Sequence, residues 1–246
     1  MGRPVRSCGG FVALLAAVTA AFPASSPAAS AETFVSGPKH EVRYRAALGE
    51  VNRLLVQVST TSRLVRLTDD GAEIAPGPGC ESVPPHSVDC RIQTRVRLVQ
   101  VDLGDRDDRA VAVTLNGQAA QVNIAGGRGR DQLRGDGPTR FNFAGRSGND
   151  TLIGDEGADV LRGNGGDDVL DGRAGRDLLI GDEGLDVLKG RTGVDRLFGG
   201  LGSDKLDARD RPPSRDAVVS CGPGRDLTTE DRVDASNTTG CETIHT

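Results

Sequence analysis

The segment that decides the fold is residues 145–207, which divide into the nonapeptides GRSGNDTLI, GDEGADVLR, GNGGDDVLD, GRAGRDLLI, GDEGLDVLK, GRTGVDRLF and GGLGSDKLD. An eighth unit, GGRGRDQLR, begins upstream at Gly126. All eight units have Gly at positions one and four, Asp at position six and Leu at position eight. Self-similarity at a fixed short period predicts a solenoid, in which each unit stacks on its neighbours.

The repeated positions each predict a structural role. Glycine at positions one and four permits the positive φ angles of a tight turn and lets neighbouring backbone approach closely. Leucine at position eight is expected to point inward from a three-residue strand, with positions seven and nine facing out. These leucines are Leu133, Leu152, Leu161, Leu170, Leu179, Leu188, Leu197 and Leu206. Aspartate at position six aligns one carboxylate per turn, and a divalent cation with oxygen ligands is the natural counter-charge for such a row.

The unit resembles the glycine-rich nonapeptide of the hemolysin-type, or RTX, calcium-binding family, G-G-x-G-x-D-x-U-x. The resemblance implies an all-β fold, a right-handed parallel β-roll with two units per coil, and Ca²⁺ ions between successive turns. It implies that Asp131, Asp150, Asp168, Asp186 and Asp204 line one edge and Asp159, Asp177 and Asp195 the other. Backbone carbonyls near Gly129, Gly148, Gly157, Gly166, Gly175, Gly184, Gly193 and Gly202 complete the implied shells. Four gaps on one edge and two on the other give six candidate ions.

Some turns depart from the pattern. The segment DGPTRFNFA from Asp136 has Phe141 in place of the aspartate and one extra residue, Gly135, before it. One ion site is therefore expected to be missing there, although Phe143 can still serve as the core residue. At position two, three units carry an arginine instead of Gly, Asn or Asp, and their occupancy is expected to suffer if an ion needs a ligand from that position. These arginines are Arg146, Arg173 and Arg191.

Two other structures are weighed against the calcium roll. A disordered linker is compatible with the Gly- and Asp-rich composition, but a linker has no reason to keep Leu at position eight of every unit. The other is a solenoid that is stable without metal. The calcium-binding roll is the favoured prediction of the three.

The N-terminus predicts export. Arg3 and Arg6 precede an apolar run from Phe11 to Phe22, and small residues end at Ala29–Ala31, a pattern typical of a cleaved secretory signal. We therefore predict that residues 1–31 are removed and that the mature chain is extracellular, with no membrane span. A membrane anchor is the alternative, but this run is shorter than the roughly 17 residues that a spanning helix needs.

The cysteines that remain after cleavage predict disulfides. They are Cys80, Cys90, Cys221 and Cys241, an even number in an exported chain. Three pairings are possible, and the local ones, Cys80–Cys90 and Cys221–Cys241, each close a short loop. A metal site or a catalytic thiol is disfavoured because the chain lacks Cys-x-x-Cys spacing and a partnered histidine.

The segments on either side of the repeats are predicted to be caps. Residues 32–125 contain short β-type runs at 41–46, 53–58, 63–68, 91–102, 110–115 and 121–124. Asp102–Asp108 (DLGDRDD) resembles a decayed repeat turn, so the solenoid is expected to begin near residue 95. Residues 208–246 contain a second decayed turn, Cys221–Asp226, in a disulfide-closed cap; Asp226 is expected to be an ordinary solvated aspartate rather than an ion ligand. The predicted organisation is a signal at 1–31, an N-terminal cap at 32–125, the roll at 126–207 and a C-terminal cap at 208–246.

Composition and motifs exclude several classes of function. Thirty basic and 35 acidic residues, mixed along the chain, argue against nucleic-acid binding. Neither H-E-x-x-H nor G-x-S-x-G occurs, and His40, His86 and His245 are far apart in sequence, so no catalytic site is predicted. We predict a secreted, non-enzymatic protein that binds several Ca²⁺ ions and folds as it does so. The alternatives are a Ca²⁺-dependent adhesin with a cell-envelope or polysaccharide partner and, less favoured, a small enzyme in residues 32–125.

Overall fold

The computed structural model describes residues 29–34, 41–93, 95–115, 121–209, 216, 218–230 and 238–244. Every regular element in this part of the chain is a β-strand. The first ten strands are β1 Ala29–Phe34, β2 Glu41–Arg45, β3 Arg53–Ser59, β4 Leu64–Asp69, β5 Ile74–Pro76, β6 Cys80–Val83, β7 Ser87–Arg91, β8 Leu98–Asp102, β9 Arg109–Leu115 and β10 Gln121–Arg128. The others are β11 Gln132–Asp136, β12 Phe141–Ser147, β13 Thr151–Ile153, β14 Val160–Gly165, β15 Val169–Gly175, β16 Leu178–Gly184, β17 Val187–Gly193, β18 Arg196–Gly202, β19 Lys205–Ala208, β20 Val218–Ser220, β21 Leu227–Glu230, β22 Thr238–Thr239 and β23 Glu242–Ile244.

From β8 onward, successive strands alternate between two facing sheets. The even-numbered strands of this part lie in an 11-stranded sheet, whose full order is β22-β20-β18-β16-β14-β12-β10-β8-β2-β1-β5. The odd-numbered strands of this part lie in a 12-stranded sheet, whose full order is β23-β21-β19-β17-β15-β13-β11-β9-β3-β4-β7-β6. Leu152 pairs in parallel with Leu170, and Leu170 with Leu188, so one coil takes 18 residues, or two nonapeptides. The predicted all-β parallel solenoid is therefore confirmed.

The interior of the roll is a double stack of leucines. All eight position-eight leucines are at most 2% exposed, and they face inward from both sheets. Because side chains alternate across a strand, positions seven and nine point away from this core. The predicted inward orientation of position eight is confirmed, and burial of one aliphatic side chain per nonapeptide is the main apolar contribution to stability in the repeats.

Truncation of one core leucine is expected to destabilise the roll. Leu170 is fully buried between Leu152 and Leu188, and Leu170→Ala should lower the free energy of unfolding by about 2–5 kcal/mol because it leaves a cavity. The matched control is Leu185→Ala, since Leu185 is 57% exposed and its loss should cost within about 0.5 kcal/mol. Urea unfolding followed by far-UV circular dichroism in excess Ca²⁺ measures both. Equal midpoints for the two variants would contradict the assignment of Leu170 to the core.

The coils begin upstream of the repeats. Strand β2 pairs in parallel with β8, and β3 pairs in parallel with β9, in the same register that the repeats continue. The expectation that the solenoid begins near residue 95 is therefore wrong, because coil geometry is already present at Glu41. The upstream strands have alternating apolar residues but no Gly and Asp turn pattern, and alternation alone does not distinguish a parallel from an antiparallel partner.

Antiparallel strands cover the N-terminal end of the roll. In the 12-stranded sheet, β4 pairs antiparallel with β3, and β7 follows antiparallel to both β4 and β6. In the 11-stranded sheet, β1 pairs antiparallel with β2 and parallel with β5. Such strands protect an otherwise open solenoid end from pairing with another chain.

The predicted β-runs of the N-terminal region are strands, with one exception. The run at 91–102 is divided, because β7 ends at Arg91 and β8 begins only at Leu98. Strands β1, β5 and β6 and all of β7 before Arg91 were not predicted; β5 and β6 lie in a Gly- and Pro-rich stretch that is typical of loops.

Both predicted local disulfides are present. Cys80–Cys90 joins β6 to β7 with a Cα–Cα distance of 4.1 Å, and Cys221–Cys241 joins the turn before β21 to the residue before β23 at 5.4 Å. Each disulfide closes a short loop at one end of the solenoid. The terminal strand there has a neighbouring strand on one side only, and the disulfide links it covalently to the rest of the fold.

Residues 1–28 of the predicted signal segment lie outside the described residues. Residues Ala29–Ala31, at the predicted cleavage point, pair with Ile74–Pro76 in β5. Cleavage after Ala31 would leave Glu32–Phe34 paired with β2. Within the residues described, no helix is long and apolar enough to cross a membrane.

Candidate metal centre: two rows of buried aspartates

The position-six aspartates form two continuous rows, one along each edge of the roll. Row one consists of Asp108, Asp131, Asp150, Asp168, Asp186, Asp204 and Asp226, and row two of Asp159, Asp177, Asp195 and Asp216. Every member is at most 2% exposed. The eight aspartates of the repeats are divided between the two rows as the resemblance to the RTX family implies.

One hydrogen bond connects each aspartate to the next coil. The backbone N–H of an aspartate donates to Oδ1 of the aspartate one coil later, as from Asp150 to Asp168 at 2.7 Å and from Asp168 to Asp186 at 2.9 Å. In row two the corresponding distance from Asp159 to Asp177 is 2.8 Å. This bond holds every carboxylate at the same depth in the turn and directs its second oxygen to the same place in each coil.

The second carboxylate oxygen is buried and unsatisfied in most of these residues. Oδ2 has no hydrogen-bond partner among the described residues in Asp108, Asp131, Asp150, Asp168, Asp177, Asp186, Asp204 and Asp226. An exception is Asp159, whose Oδ2 accepts a hydrogen bond from the N–H of Asp155 at 3.0 Å. Burial of an anionic oxygen without a partner is strongly unfavourable unless a proton or a cation neutralises it. The rows therefore fit a hard cation such as Ca²⁺, which takes oxygen ligands.

The pKa values of the carboxyls are raised by the same burial. Removal from water raises the pKa of Asp131 and Asp186 to about 6, of Asp150 and Asp168 to about 7 and of Asp177 to about 8. The backbone hydrogen bond at Oδ1 opposes the rise, and neighbouring carboxylates of the row add to it. Near neutral pH a proton and a cation would therefore compete for these oxygens.

Glycine at position one makes room for the carboxylate. A Cβ added at Gly163 would overlap Oδ2 of Asp168, five residues later in the same turn. In the repeats, Gly at position one thus leaves the space that the carboxylate at position six occupies. The position-four glycines lie in the same turns, against the backbone of the preceding coil.

Three row members were missed or misjudged by sequence reasoning. Asp226 is 1% exposed, so the expectation of a solvated aspartate is wrong. The signal was present, because Gly222 and Gly224 keep positions two and four of a unit that begins at Cys221. Asp108 similarly ends the decayed turn that starts at Leu103. Asp216 follows Asp195 by 21 residues, which breaks the period, and the repeat pattern gives no signal for it.

Phe141 takes the place of an aspartate in row two. It is fully buried, and its N–H donates to Oδ1 of Asp159 at 2.8 Å. A Cβ at Gly135 would overlap the Phe141 ring, as it would overlap a carboxylate elsewhere. Gly135 therefore occupies position one, and the extra residue lies inside the turn rather than before the unit. Row two therefore has no carboxylate in the coil that precedes Asp159, where Phe141 takes that place.

The position-two arginines are engaged at the surface. Arg146, Arg173 and Arg191 have positive φ angles of 84°, 73° and 74°, a conformation that Asn164 and Asp182 share at the same position. Their guanidinium groups pair with surface carboxylates, at 3.3 Å with Asp102, 3.4 Å with Asp155 and 3.0 Å with Asp171. Such exposed pairs contribute little to stability, and they direct the arginine charge away from the rows.

The donor set differs from a side-chain metal cluster. In the described ranges, no three side chains of His, Cys, Asp or Glu come together in a way that could hold an ion. An ion between two coils would combine a carboxylate with backbone carbonyl oxygens of the turns, which is within the range of ligands that Ca²⁺ accepts.

Comparison with protein families agrees with this geometry. A model of the RTX calcium-binding nonapeptide repeat (4 copies) matches residues 145–179 and 172–206. Neither curated proteins nor solved structures gave a significant match. The matched residues contain seven of the eight position-eight leucines and the row aspartates from Asp150 to Asp204, so residues 145–206 carry RTX calcium-binding nonapeptide repeats.

Proposed function

We propose that this protein is a secreted calcium-binding protein whose roll folds as Ca²⁺ enters the two aspartate rows. The observation that carries the proposal is the repeated buried Oδ2 that lacks a hydrogen-bond partner among the described residues, found in all seven members of row one and in Asp177 of row two. An ion in each gap would neutralise carboxylates that otherwise repel each other across one strand spacing. The chain acts in this proposal as a metal-binding protein and not as an enzyme.

The ligands proposed within the repeats are the position-six carboxylates together with position-four backbone carbonyls. In row one the gaps lie between successive members from Asp131 to Asp204, and in row two between Asp159 and Asp195. Extracellular calcium modules commonly bind at about 10⁻⁴–10⁻³ M. Sites in that range would be empty in a cell interior and filled after export, which couples ordering of the roll to its arrival outside. The two disulfides support an oxidising location.

Calorimetry and circular dichroism test this function. After exhaustive chelation, Ca²⁺ titration of the mature chain at neutral pH should show several ions bound, with a gain of β signal. Mg²⁺ at the same concentration should be a poor substitute, because it requires shorter, near-octahedral coordination and dehydrates reluctantly. A full β signal in excess chelator at neutral pH would contradict calcium-linked folding.

A pair of adjacent aspartates gives a matched test of the ligands. Asp168→Asn should lower the number of bound ions and raise the Ca²⁺ concentration needed for folding, because Asp168 is buried with an unpartnered Oδ2. Asp167→Asn is the control, since Asp167 is exposed and its Oδ1 only accepts a hydrogen bond from the Leu185 N–H at 2.9 Å. Identical titrations for the two variants would argue against the row as the binding site.

A further inference from the structure

The turn at residues 103–108, LGDRDD, is built like a repeat turn although it lacks the repeat sequence. A Cβ added at Gly127 would overlap the carbonyl oxygen of Gly104, and one at Gly129 would overlap that of Arg106. The turns inside the repeats stack in the same way, as Gly148 does on Gly129. Arg106 even adopts a positive φ of 83° at position four, where the repeats have glycine. The backbone of this coil is therefore in register with the repeats.

The carboxylates at this junction have the same unsatisfied oxygen as those in the repeats. The N–H of Asp108 donates to Oδ1 of Asp131 at 2.9 Å. Asp108 is 2% exposed and Asp131 fully buried, and Oδ2 of both lacks a hydrogen-bond partner within the part of the chain described. Two buried, unsatisfied carboxylate oxygens thus lie one coil apart, outside the residues that match the repeat family.

Asn52 ends the row one coil further upstream. It is fully buried, and both its backbone N–H and its Nδ2 donate to Oδ1 of Asp108, at 2.7 and 3.1 Å. Nδ2 also donates to the carbonyl oxygen of Leu103 at 3.2 Å. A neutral amide with filled hydrogen bonds replaces the next carboxylate, so the gap between Asn52 and Asp108 lacks the anionic pair of the other gaps.

Beyond Asn52, the buried side chains of Tyr44 and Asp69 have hydrogen-bond partners within the protein. The hydroxyl of Tyr44 donates to Oδ2 of Asp69 at 2.7 Å and lies 3.1 Å from Oδ1 of Asn52. Oδ1 of Asp69 accepts from the N–H groups of Arg53 and Gly71, both at 2.8 Å. The side chain of Asp69 therefore has protein donors at both oxygens, in contrast to Asp108.

We propose that the gap between Asp108 and Asp131 is an additional calcium site, which joins the N-terminal cap to the roll. The proposal rests on the proposed function, because the ion and its donor set are those of the repeats. It assigns a role to a turn that departs from the nonapeptide, and it places the boundary between hydrogen-bonded cap and metal-bound roll at Asn52.

The single tyrosine of the chain provides a site-specific test. The chain has no Trp, and Tyr44 is its only Tyr. Tb³⁺ takes oxygen-rich calcium sites and emits when a nearby tyrosine transfers excitation energy to it. Tyr44 lies within hydrogen-bond distance of Asn52, and Asn52 donates hydrogen bonds to Asp108. Tb³⁺ in this gap should therefore give tyrosine-sensitised emission, and added Ca²⁺ should displace the Tb³⁺ and lower that emission.

Three variants complete the test, with bound ions counted by equilibrium dialysis against Ca²⁺. Asp108→Asn keeps an oxygen that can accept the Asn52 N–H, and it should lose one bound ion and most of the sensitised emission. Asp186→Asn, several coils away, should lose an ion but keep the emission. Tyr44→Phe should keep the ion count and lose the emission.

The outcomes separate this site from the function as a whole. Wild-type emission and ion count in Asp108→Asn would overturn the junction site while leaving the repeats as calcium sites. Calcium binding by the wild type without Tyr44-sensitised Tb³⁺ emission would also overturn it, and this result does not depend on whether Asp108→Asn folds. No calcium binding by the wild type would instead overturn the proposed function.

Discussion

In excess chelator, the roll is expected to be folded near pH 4 and to unfold as the pH rises through about 6 to 8. The reason is that burial raises the pKa of the row carboxyls from their ordinary value of 3.8 to values such as about 7 for Asp168 and about 8 for Asp177. Acid would thus replace calcium as the agent that neutralises the rows.

The direction follows from proton binding. A carboxyl with a raised pKa holds its proton in the folded chain at a pH where the unfolded chain has already released it. The folded state therefore binds more protons, and stability is lost as the pH rises from the unfolded to the folded pKa. A shift of two pKa units corresponds to about 3 kcal/mol for one carboxyl. Because a typical domain has about 5–15 kcal/mol of total stability, a few such aspartates are enough to unfold the metal-free roll.

The measurement is far-UV circular dichroism across this pH range, with chelator in one series and saturating Ca²⁺ in the other. With Ca²⁺ the β signal should persist at neutral and mildly alkaline pH, and the Ca²⁺ concentration required should rise on acidification as protons compete. A chelated protein with the same β signal at pH 5 and pH 8 would contradict the prediction. So would a chelated protein that unfolds on acidification.

The repeat sequence predicted the coil and the rows because one period imposes every contact. Gly at position one, Asp at position six and Leu at position eight recur in every unit, so the inward leucines follow from the repeat, while the grouping of the aspartates on two edges was implied by the resemblance to the RTX family. Where the period breaks, the prediction fails. Asp216 is displaced from the period by its 21-residue spacing from Asp195, and Asp226 was misjudged because its turn has Cys221 where the repeats have glycine.

The N-terminal region was predicted less completely for a different physical reason. Its strands were found from their apolar alternation, but alternation does not select a partner strand. Only three-dimensional pairing shows that β2 and β3 continue the coils while β4, β6 and β7 are antiparallel. The role of Asn52 was also not predictable, because a single buried amide has no sequence pattern.

Replacement of Gly166 by alanine is expected to be among the most damaging single changes in the roll. Gly166 has a φ of +122°, and a Cβ there would overlap the carbonyl oxygen of Gly148 in the preceding coil. The Cβ would meet the backbone of Gly148, which cannot rotate away as a side chain can, so the two coils would have to separate at the level of Asp150 and Asp168. Backbone strain alone costs about 1–3 kcal/mol, and the overlap adds to it. We therefore expect Gly166→Ala to lower the free energy of unfolding by more than about 3 kcal/mol and to raise the Ca²⁺ concentration needed for folding.

The adjacent glycine provides the control for this prediction. At Gly165 φ lies outside the left-handed region, and the nearest atom to a Cβ there, apart from those of Gly165 and its two chain neighbours, would be the carbonyl oxygen of Arg146 at 3.7 Å. Gly165→Ala should therefore be neutral or stabilise the roll by about 0.4–1 kcal/mol, because alanine reduces the entropy of the unfolded chain. Urea unfolding at saturating Ca²⁺ compares the two variants directly. If both unfold at the wild-type midpoint, the coils do not stack through position four, and close backbone packing is not what requires glycine there.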